Sequence, residues 1–218
     1  VATWSVLPTG QTATEFVTQP GEHRSFALAD GSRIEINGAS RLYYDAQQPR
    51  TISLESGEAV FKVRHDASNP FVVKAGDVRL IDAGTEFNVI HEGGRLEVAV
   101  AEGAVIYEPD GPAARIDPGQ VLSFDRAEGS YRMESVPVDQ VGEWREGRLT
   151  FRNAPLADVA DDLSRATGIT YRVADAGEAR SISGSVAIEP LRRDPGALGP
   201  LLGIDVQQDG DVWILGGR

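Results

Sequence analysis

The sequence predicts a mainly β protein that ends in a small α+β module. Short runs of alternating apolar and polar residues, separated by glycine-centred turns, extend from about residue 20 to residue 135. A helical period appears only after residue 153, between two strand-like runs. We therefore expect an all-β sandwich or solenoid-like domain over residues 20–136, preceded by a linker over residues 1–19. A strand-helix-strand module is expected over residues 137–218.

The β-rich part is predicted from its runs of Val, Ile and Phe. These runs are SRIEINGAS, TISLESGEAVFKV, PFVVKAGDVRLI, TEFNVI, LEVAVAEGAVIYEP and GQVLSF. Asp30-Gly31 is typical of a hairpin turn, because glycine reaches positive φ without strain and aspartate bonds its own backbone. The same pattern predicts turns at Gly57, Gly84 and Gly103. We expect no helix longer than about two turns in this part.

The second part is predicted to alternate strands and helices. RLTFRN indicates a strand, and the following helix should take Asn153 as its N-cap, carry Pro155 in its first turn and end at Gly168. ITYRV and SISGSVAI indicate further strands, and DVQQDGDVWIL indicates a hairpin. A second, irregular helix is expected in EPLRRDPGALGPLLG, starting at Asp194-Pro195, because Pro200 interrupts its interior.

The composition excludes several classes of function. The 218 residues carry a net charge of -12, which argues against a nucleic-acid partner, since phosphate contacts need clustered Lys and Arg. The absence of cysteine excludes disulfides, thiolate metal sites and thiol nucleophiles. His23, His65 and His91 are too far apart for a close metal-binding pair. No nucleotide-binding or nucleophile motif is present, so we predict no catalytic residue, metal or cofactor.

The acidic residues of the β-rich part leave one alternative open, a carbohydrate-binding or carbohydrate-cleaving protein. A carboxylate pair for glycoside cleavage would come from Glu58, Asp66, Asp77, Asp82, Glu86 and Glu102. Most of these residues adjoin a turn glycine or alternate outward, which favours a solvated face. The tryptophans, Trp4, Trp144 and Trp213, all lie outside residues 20–135, so this part has no tryptophan platform for sugar stacking.

Trp144 lies between the two parts, in the run VGEWREGRLTF, and has two interpretations. It packs the parts together, or it is an exposed anchor for a partner, since Trp and Arg are enriched in binding hot spots. In the next strand, Phe151 should face the helix, while Arg148 and Arg152 point to the other side.

Several motifs in fixed order resemble the FecR-type sigma regulators. They are GEHRSFALADGSRIEINGASRL, ISLESGEAVFKV, NPFVVKAGDVRLIDAGTEFNVI and LEVAVAEGAVIY. The continuation EWREGRLTFRNAPLADVADDLSRATGITYRV resembles the C-terminal module of that family. That module is similar to the short N-terminal signalling domain of secretins and TonB-dependent receptors.

The resemblance implies a single-pass inner-membrane protein of which this chain is the periplasmic sensor. A cytoplasmic anti-sigma segment and a transmembrane helix would precede it, and residues 1–19 would be a juxtamembrane linker. The implied partners are the signalling domain of an outer-membrane TonB-dependent receptor, reporting uptake of an iron-siderophore or another substrate, and an extracytoplasmic-function sigma factor. A module of this kind has an open sheet edge, so we hypothesise a partner-binding surface at Trp144, Arg148, Phe151, Arg152 and Trp213.

Overall fold

The structure, a computed structural model, describes residues 13–82, 84–108, 113–125, 129–174 and 180–216. Its first thirteen elements are all strands, as predicted for this part of the chain. They are β1 (Ala13–Val17), β2 (Arg24–Ala27), β3 (Arg33–Ile36), β4 (Arg41–Asp45), β5 (Thr51–Lys62), β6 (Phe71–Ala75), β7 (Val78–Asp82), β8 (Glu86–Glu92), β9 (Arg95–Glu102), β10 (Val105–Glu108), β11 (Ala114–Ile116), β12 (Gln120–Asp125) and β13 (Ser130–Ser135).

The thirteen strands form one curled sheet whose two halves share β5. The first half of β5 pairs with β4 and β6, and its second half pairs with β3 and β8. One half of the sheet therefore runs β1-β4-β5-β6-β7-β10-β11, and the other runs β2-β3-β5-β8-β9-β12-β13. Strand β1 includes residues assigned to a linker from the sequence, so the β domain begins earlier than predicted.

Both halves of the sheet contribute side chains to a single core, which gives the predicted sandwich. Ile34, Ile52 and Leu80 are at most 1% exposed, and the rings of Phe61 and Phe87 stack with centroids 5.2 Å apart. Each fully buried side chain of this size stabilises the fold by about 1.5–3 kcal/mol. The apolar side chains that alternate along the strands therefore lie on the inner faces of the two halves and form one core between them.

The glycines predicted as turns fall into two groups. Gly31, Gly84 and Gly103 lie in connections between strands and have positive φ. Beside Gly31, the Asp30 carboxylate accepts a hydrogen bond of 2.8 Å from the backbone N–H of Ser32. Gly57 was wrongly predicted as a turn: it lies inside β5, where the strand passes from one half of the sheet to the other.

The second part of the chain contains two short sheets and three helices. A 3₁₀ turn at Val138–Gln140 and another at Glu143–Glu146 lead into β14 (Arg148–Pro155), α1 (Leu156–Thr167), β15 (Thr170–Val173), β16 (Ser181–Ala187), α2 (Ile188–Arg193), α3 (Leu198–Leu202), β17 (Val206–Asp209) and β18 (Val212–Leu215). Strand β14 pairs with β16, while β18 pairs with β15 in parallel and with β17 in antiparallel. We refer to this part as the C-terminal module.

Helix α1 buries the apolar face that its sequence predicts, and it ends as predicted. Its N–H-to-carbonyl ladder closes at Gly168, which has φ 81° and donates to the carbonyl of Ser164. The predicted N-cap is wrong. Asn153 has φ 49° and lies in a bulge of β14, where its N–H donates to the Ser183 hydroxyl, and Pro155 is the residue that precedes the helix.

The second helical region is short and irregular, as expected, but it starts earlier than predicted. Helix α2 begins at Ile188, directly after β16, rather than at Asp194. Pro195 opens a 3₁₀ turn instead, and α3 follows it. None of the helices among the described residues is long and apolar enough to cross a membrane.

Candidate functional site

The junction between the β domain and the C-terminal module is closed by Trp144. This side chain is 3% exposed, and its indole N–H donates a hydrogen bond of 3.2 Å to the Asn88 side-chain oxygen on β8. The ring of His23 meets it edge-on with centroids 5.1 Å apart. Trp144 and Val60 of β5 belong to the same buried apolar cluster. Its packing interpretation therefore holds, and the interpretation as an exposed anchor does not.

A buried carboxylate, Glu58, lies at the centre of the junction. It accepts hydrogen bonds from the side-chain amides of Asn37 (2.7 Å) and Asn88 (2.9 Å). Arg165 of helix α1 reaches the same carboxylate at 3.3 Å. Glu58 is 5% exposed and Asp82 is 1% exposed, so the predicted solvated face is wrong for both residues. Burial raises the pKa of Glu58, and the nearby Arg165 cation opposes that shift only in part.

Among the described residues, Arg165 has the largest fully buried side chain. Carboxylates from both sides of the junction contact its guanidinium. Asp162 of its own helix accepts at 2.8 Å, and Glu92 of β8 forms a further short ion pair. Arg95 of β9, in the β domain, contacts Asp162 of the C-terminal module at 3.1 Å. Burial alone would raise the pKa of Asp162, but Arg95 and Arg165 more than offset it, so the pKa is lowered.

A second cross-junction contact comes from Arg145, in the turn beside Trp144. Its guanidinium contacts Glu35 of β3 at 3.2 Å and Glu86 of β8 at 2.9 Å. Burial would raise the pKa of Glu86, but its bonds to Lys62 and Arg145 lower it overall. The two parts are thus joined by paired charges, which are costly to separate because each would be left unpaired in a partly buried site.

Strand β14 has one open edge, and a groove runs beside it. Its only partner among the described residues is β16. The N–H of Ile188 donates to the carbonyl of Gly147, so the backbone of Gly147 points toward β16. Hydrogen-bonding direction alternates along an antiparallel strand, so Arg148 and Thr150 turn their N–H and C=O groups away from β16. The groove has a volume of about 920 Å³ and lies between β14 and the surface of β9, β12 and β13.

The β domain is similar to one known protein family. Residues 14–106, from β1 into β10, match the family model described as FecR protein. This part of the chain is therefore similar to FecR proteins, and because of that similarity we call the β domain the FecR domain. No curated protein matches the sequence.

Two solved structures share the fold over nearly the whole chain. Both are crystal structures of a candidate anti-sigma factor from Parabacteroides distasonis ATCC 8503, at 2.50 and 1.65 Å resolution. They are 23% and 24% identical to this chain, with TM-scores of 0.86 and 0.84. Each match covers 94% of this chain and 99% of the other. The fold of those structures therefore includes counterparts of both the β domain and the C-terminal module in the same arrangement.

The hypothesised partner-binding residues are only partly brought together. Arg148 and Arg152 are exposed on β14, where Arg148 pairs with Glu143 at 2.8 Å and Arg152 bonds Gln140. Phe151 is 5% exposed and packs on the opposite face of the strand, together with the helix. Trp213 lies on β18 in the other sheet of the module. Only the arginines and the strand edge are therefore available to a partner at β14.

The Glu58–Arg165 contact could not be predicted from the sequence, because 107 residues separate the two. One local signal was available. Residues 57–61 of β5 are buried without alternation, and the run Ala59-Val60-Phe61 is continuously apolar. Such a run indicates a strand covered on both faces, here by the sandwich core and by the C-terminal module. Among the described residues, no cluster of His, Asp or Glu is arranged to hold a metal ion.

Proposed function

We propose that this chain is the sensor region of a FecR-type sigma regulator, and that the open edge of β14 receives the signal. The FecR domain and the fold shared with candidate anti-sigma factors support the class of function. The free edge of β14, beside a groove large enough for an extended segment, is the observation that carries the mode of action. The role is regulatory rather than catalytic.

The chemistry of the edge favours strand addition. A partner strand would bond to the outward N–H and C=O groups of Arg148 and Thr150 and extend the sheet formed by β14 and β16. The exposed Arg148 and Arg152 flank this edge and would meet acidic side chains on the incoming strand. The groove lets such a strand reach the surface of β12 and β13 at the same time.

The partner in this proposal is the signalling domain of an outer-membrane TonB-dependent receptor. The resemblance of residues 137–218 to that kind of domain supports the pairing of two similar modules. The chain would then act in the periplasm as part of a protein anchored in the inner membrane by a helix outside this sequence. The output would be control of an extracytoplasmic-function sigma factor in response to uptake of an iron-siderophore or another substrate.

Isothermal calorimetry with receptor signalling domains from the same organism tests this proposal. The double variant Arg148→Glu with Arg152→Glu should weaken binding at least tenfold, because two attractive contacts become repulsive. Arg172→Glu, at an exposed arginine on β15, is the matched control and should bind like the wild type. Equal affinity of the folded double variant would place the receptor site elsewhere on the chain.

A further inference from the structure

The loop Thr18–His23, which we call the strap, follows the first strand of the FecR domain and contacts the C-terminal module. The N–H of Gly21 donates to the carbonyl of Arg165 at 2.9 Å. Arg192 of α2 donates to the Gly21 carbonyl at 3.0 Å and to the Ala166 carbonyl at 2.8 Å. The strap is therefore bonded to the end of α1 and to α2 at once.

The strap and the end of helix α1 are in close backbone contact. A Cβ atom built on Gly21 would lie 3.0 Å from the backbone of Gly168, just beyond the helix. A Cβ atom on the neighbouring Gly38 would lie 2.2 Å from the Arg165 carbonyl oxygen. Backbone therefore packs directly on backbone at both points, and a shift of the end of α1 would either push against the strap or break its bond to Gly21.

A buried chain of polar contacts runs parallel to this packing. It starts at Arg165, passes through the Glu58 carboxylate and continues to the Asn37 side chain. The Thr18 hydroxyl donates to the Asn37 carbonyl at 2.6 Å and accepts from the Ser40 N–H at 2.9 Å. Thr18 is 3% exposed and directly follows β1. The path thus leads from the C-terminal module to the end of the first strand.

The charged step in this path favours two discrete arrangements. While α1 is seated, the Arg165 guanidinium and the Glu58 carboxylate form an ion pair in which both side chains are almost fully buried. A partial displacement would leave a buried charge without its partner, which is strongly unfavourable. The stable alternatives are a closed contact and an open one in which water reaches both groups.

We infer that Arg165, Glu58, Asn37 and Thr18 form a latch that couples the position of α1 to the pairing of β1 with β4. Strand β1 is an edge strand whose only partner among the described residues is β4. Its first three residues are exposed, and its C-terminal end is held by the stacking of Phe16 on Phe26 and by the contacts of Thr18. This coupling is a property of the chain alone, and its test needs no partner.

Amide hydrogen exchange, measured on the whole chain, tests the latch. Arg165→Met should raise exchange rates at least tenfold in β1 and the strap and leave those of β6 and β7 unchanged. The control is Arg172→Met, the same replacement at an exposed arginine of the same module, which should leave β1 unchanged. Unchanged exchange in β1 of the folded Arg165→Met protein would overturn the inference, and so would an equal rise throughout the chain, which marks a general loss of stability.

The reciprocal variant removes the other end of the latch. Coupling between two sites is mutual, so Thr18→Val, which deletes one hydroxyl and keeps the shape, should speed exchange at the end of α1, near Arg165. This variant also carries the test if Arg165→Met does not fold. Wild-type exchange at the end of α1 in a folded Thr18→Val protein would show that no coupling passes through the latch.

Discussion

Replacing Glu58 by Gln removes one of two acceptor oxygens from a site built for a carboxylate. Both neighbouring amides are held as donors toward Glu58. The oxygen of Asn37 accepts from the N–H of Gly38 at 2.8 Å, and that of Asn88 accepts from the Trp144 indole. Neither amide can turn over without losing its own bond. The new NH₂ group of Gln therefore faces another donor whichever way it points.

The expected cost follows from these contacts. An unsatisfied buried donor costs about 1–3 kcal/mol. Arg165 keeps Asp162 and Glu92 as partners, which limits the further loss. Burial raises the pKa of Glu58, which means that burial disfavours its charged form. Replacing the carboxylate by a neutral amide therefore removes part of this unfavourable free energy. We therefore expect Glu58→Gln to lower the free energy of unfolding by about 1–3 kcal/mol, at about 2–4 °C of melting temperature per kcal/mol.

Urea denaturation and thermal melting measure this effect against Glu102→Gln. Glu102 is exposed at the end of β9, so its variant should stay within about 0.5 kcal/mol of the wild type. If the two variants were equally stable, Glu58 would not be the centre of the junction, and the reasoning from its contacts would be refuted.

Three further predictions concern single residues. Gly84→Val should lower the free energy of unfolding by about 1 kcal/mol or more, because Gly84 has φ 141° and a Cβ atom there would lie 2.5 Å from His65 Cα; an unchanged urea midpoint would contradict this. Trp144→Phe should cost about 1–3 kcal/mol in the same assay through the lost bond to Asn88, whereas Trp213→Phe, at a partly exposed site, should cost less. The pKa of Asp162 is lowered from 3.8, so its contribution is present above that pH and is lost as the pH falls through the folded pKa. The difference in free energy of unfolding between the wild type and Asp162→Asn should therefore decrease below pH 3.8. An increase of this difference at lower pH would contradict the prediction.

The strands and helix α1 could be predicted because their signals are local. Alternation along β3 or β9 and the 3.6-residue period of α1 depend on neighbours within a few positions. Gly168 ends its helix for an equally local reason, since the end requires positive φ. The N-cap prediction at Asn153 failed because this residue lies in the bulge of β14, and the helix begins only at Leu156.

The junction could not be predicted because it depends on contacts between distant segments. Glu58 stands beside a glycine and resembles a turn residue until α1 covers it. Arg165 resembles an ordinary charge near a helix C-terminus until Glu58 and Glu92 surround it. In both cases the residue type was visible, but its environment was set by packing of one part of the chain on the other.

The proposed signal reception is tested by transcription from a promoter of the proposed sigma factor, in cells that carry this chain in the proposed regulator and receive the substrate of the proposed receptor. Thr150→Pro removes the outward N–H of β14 but no bond of its ladder with β16. Thr150→Val is the control, because it keeps that N–H and deletes only the hydroxyl that bonds Ser185. We expect Thr150→Pro to abolish induction and Thr150→Val to respond like the wild type. Full induction by a folded Thr150→Pro protein would contradict signal reception at the β14 edge.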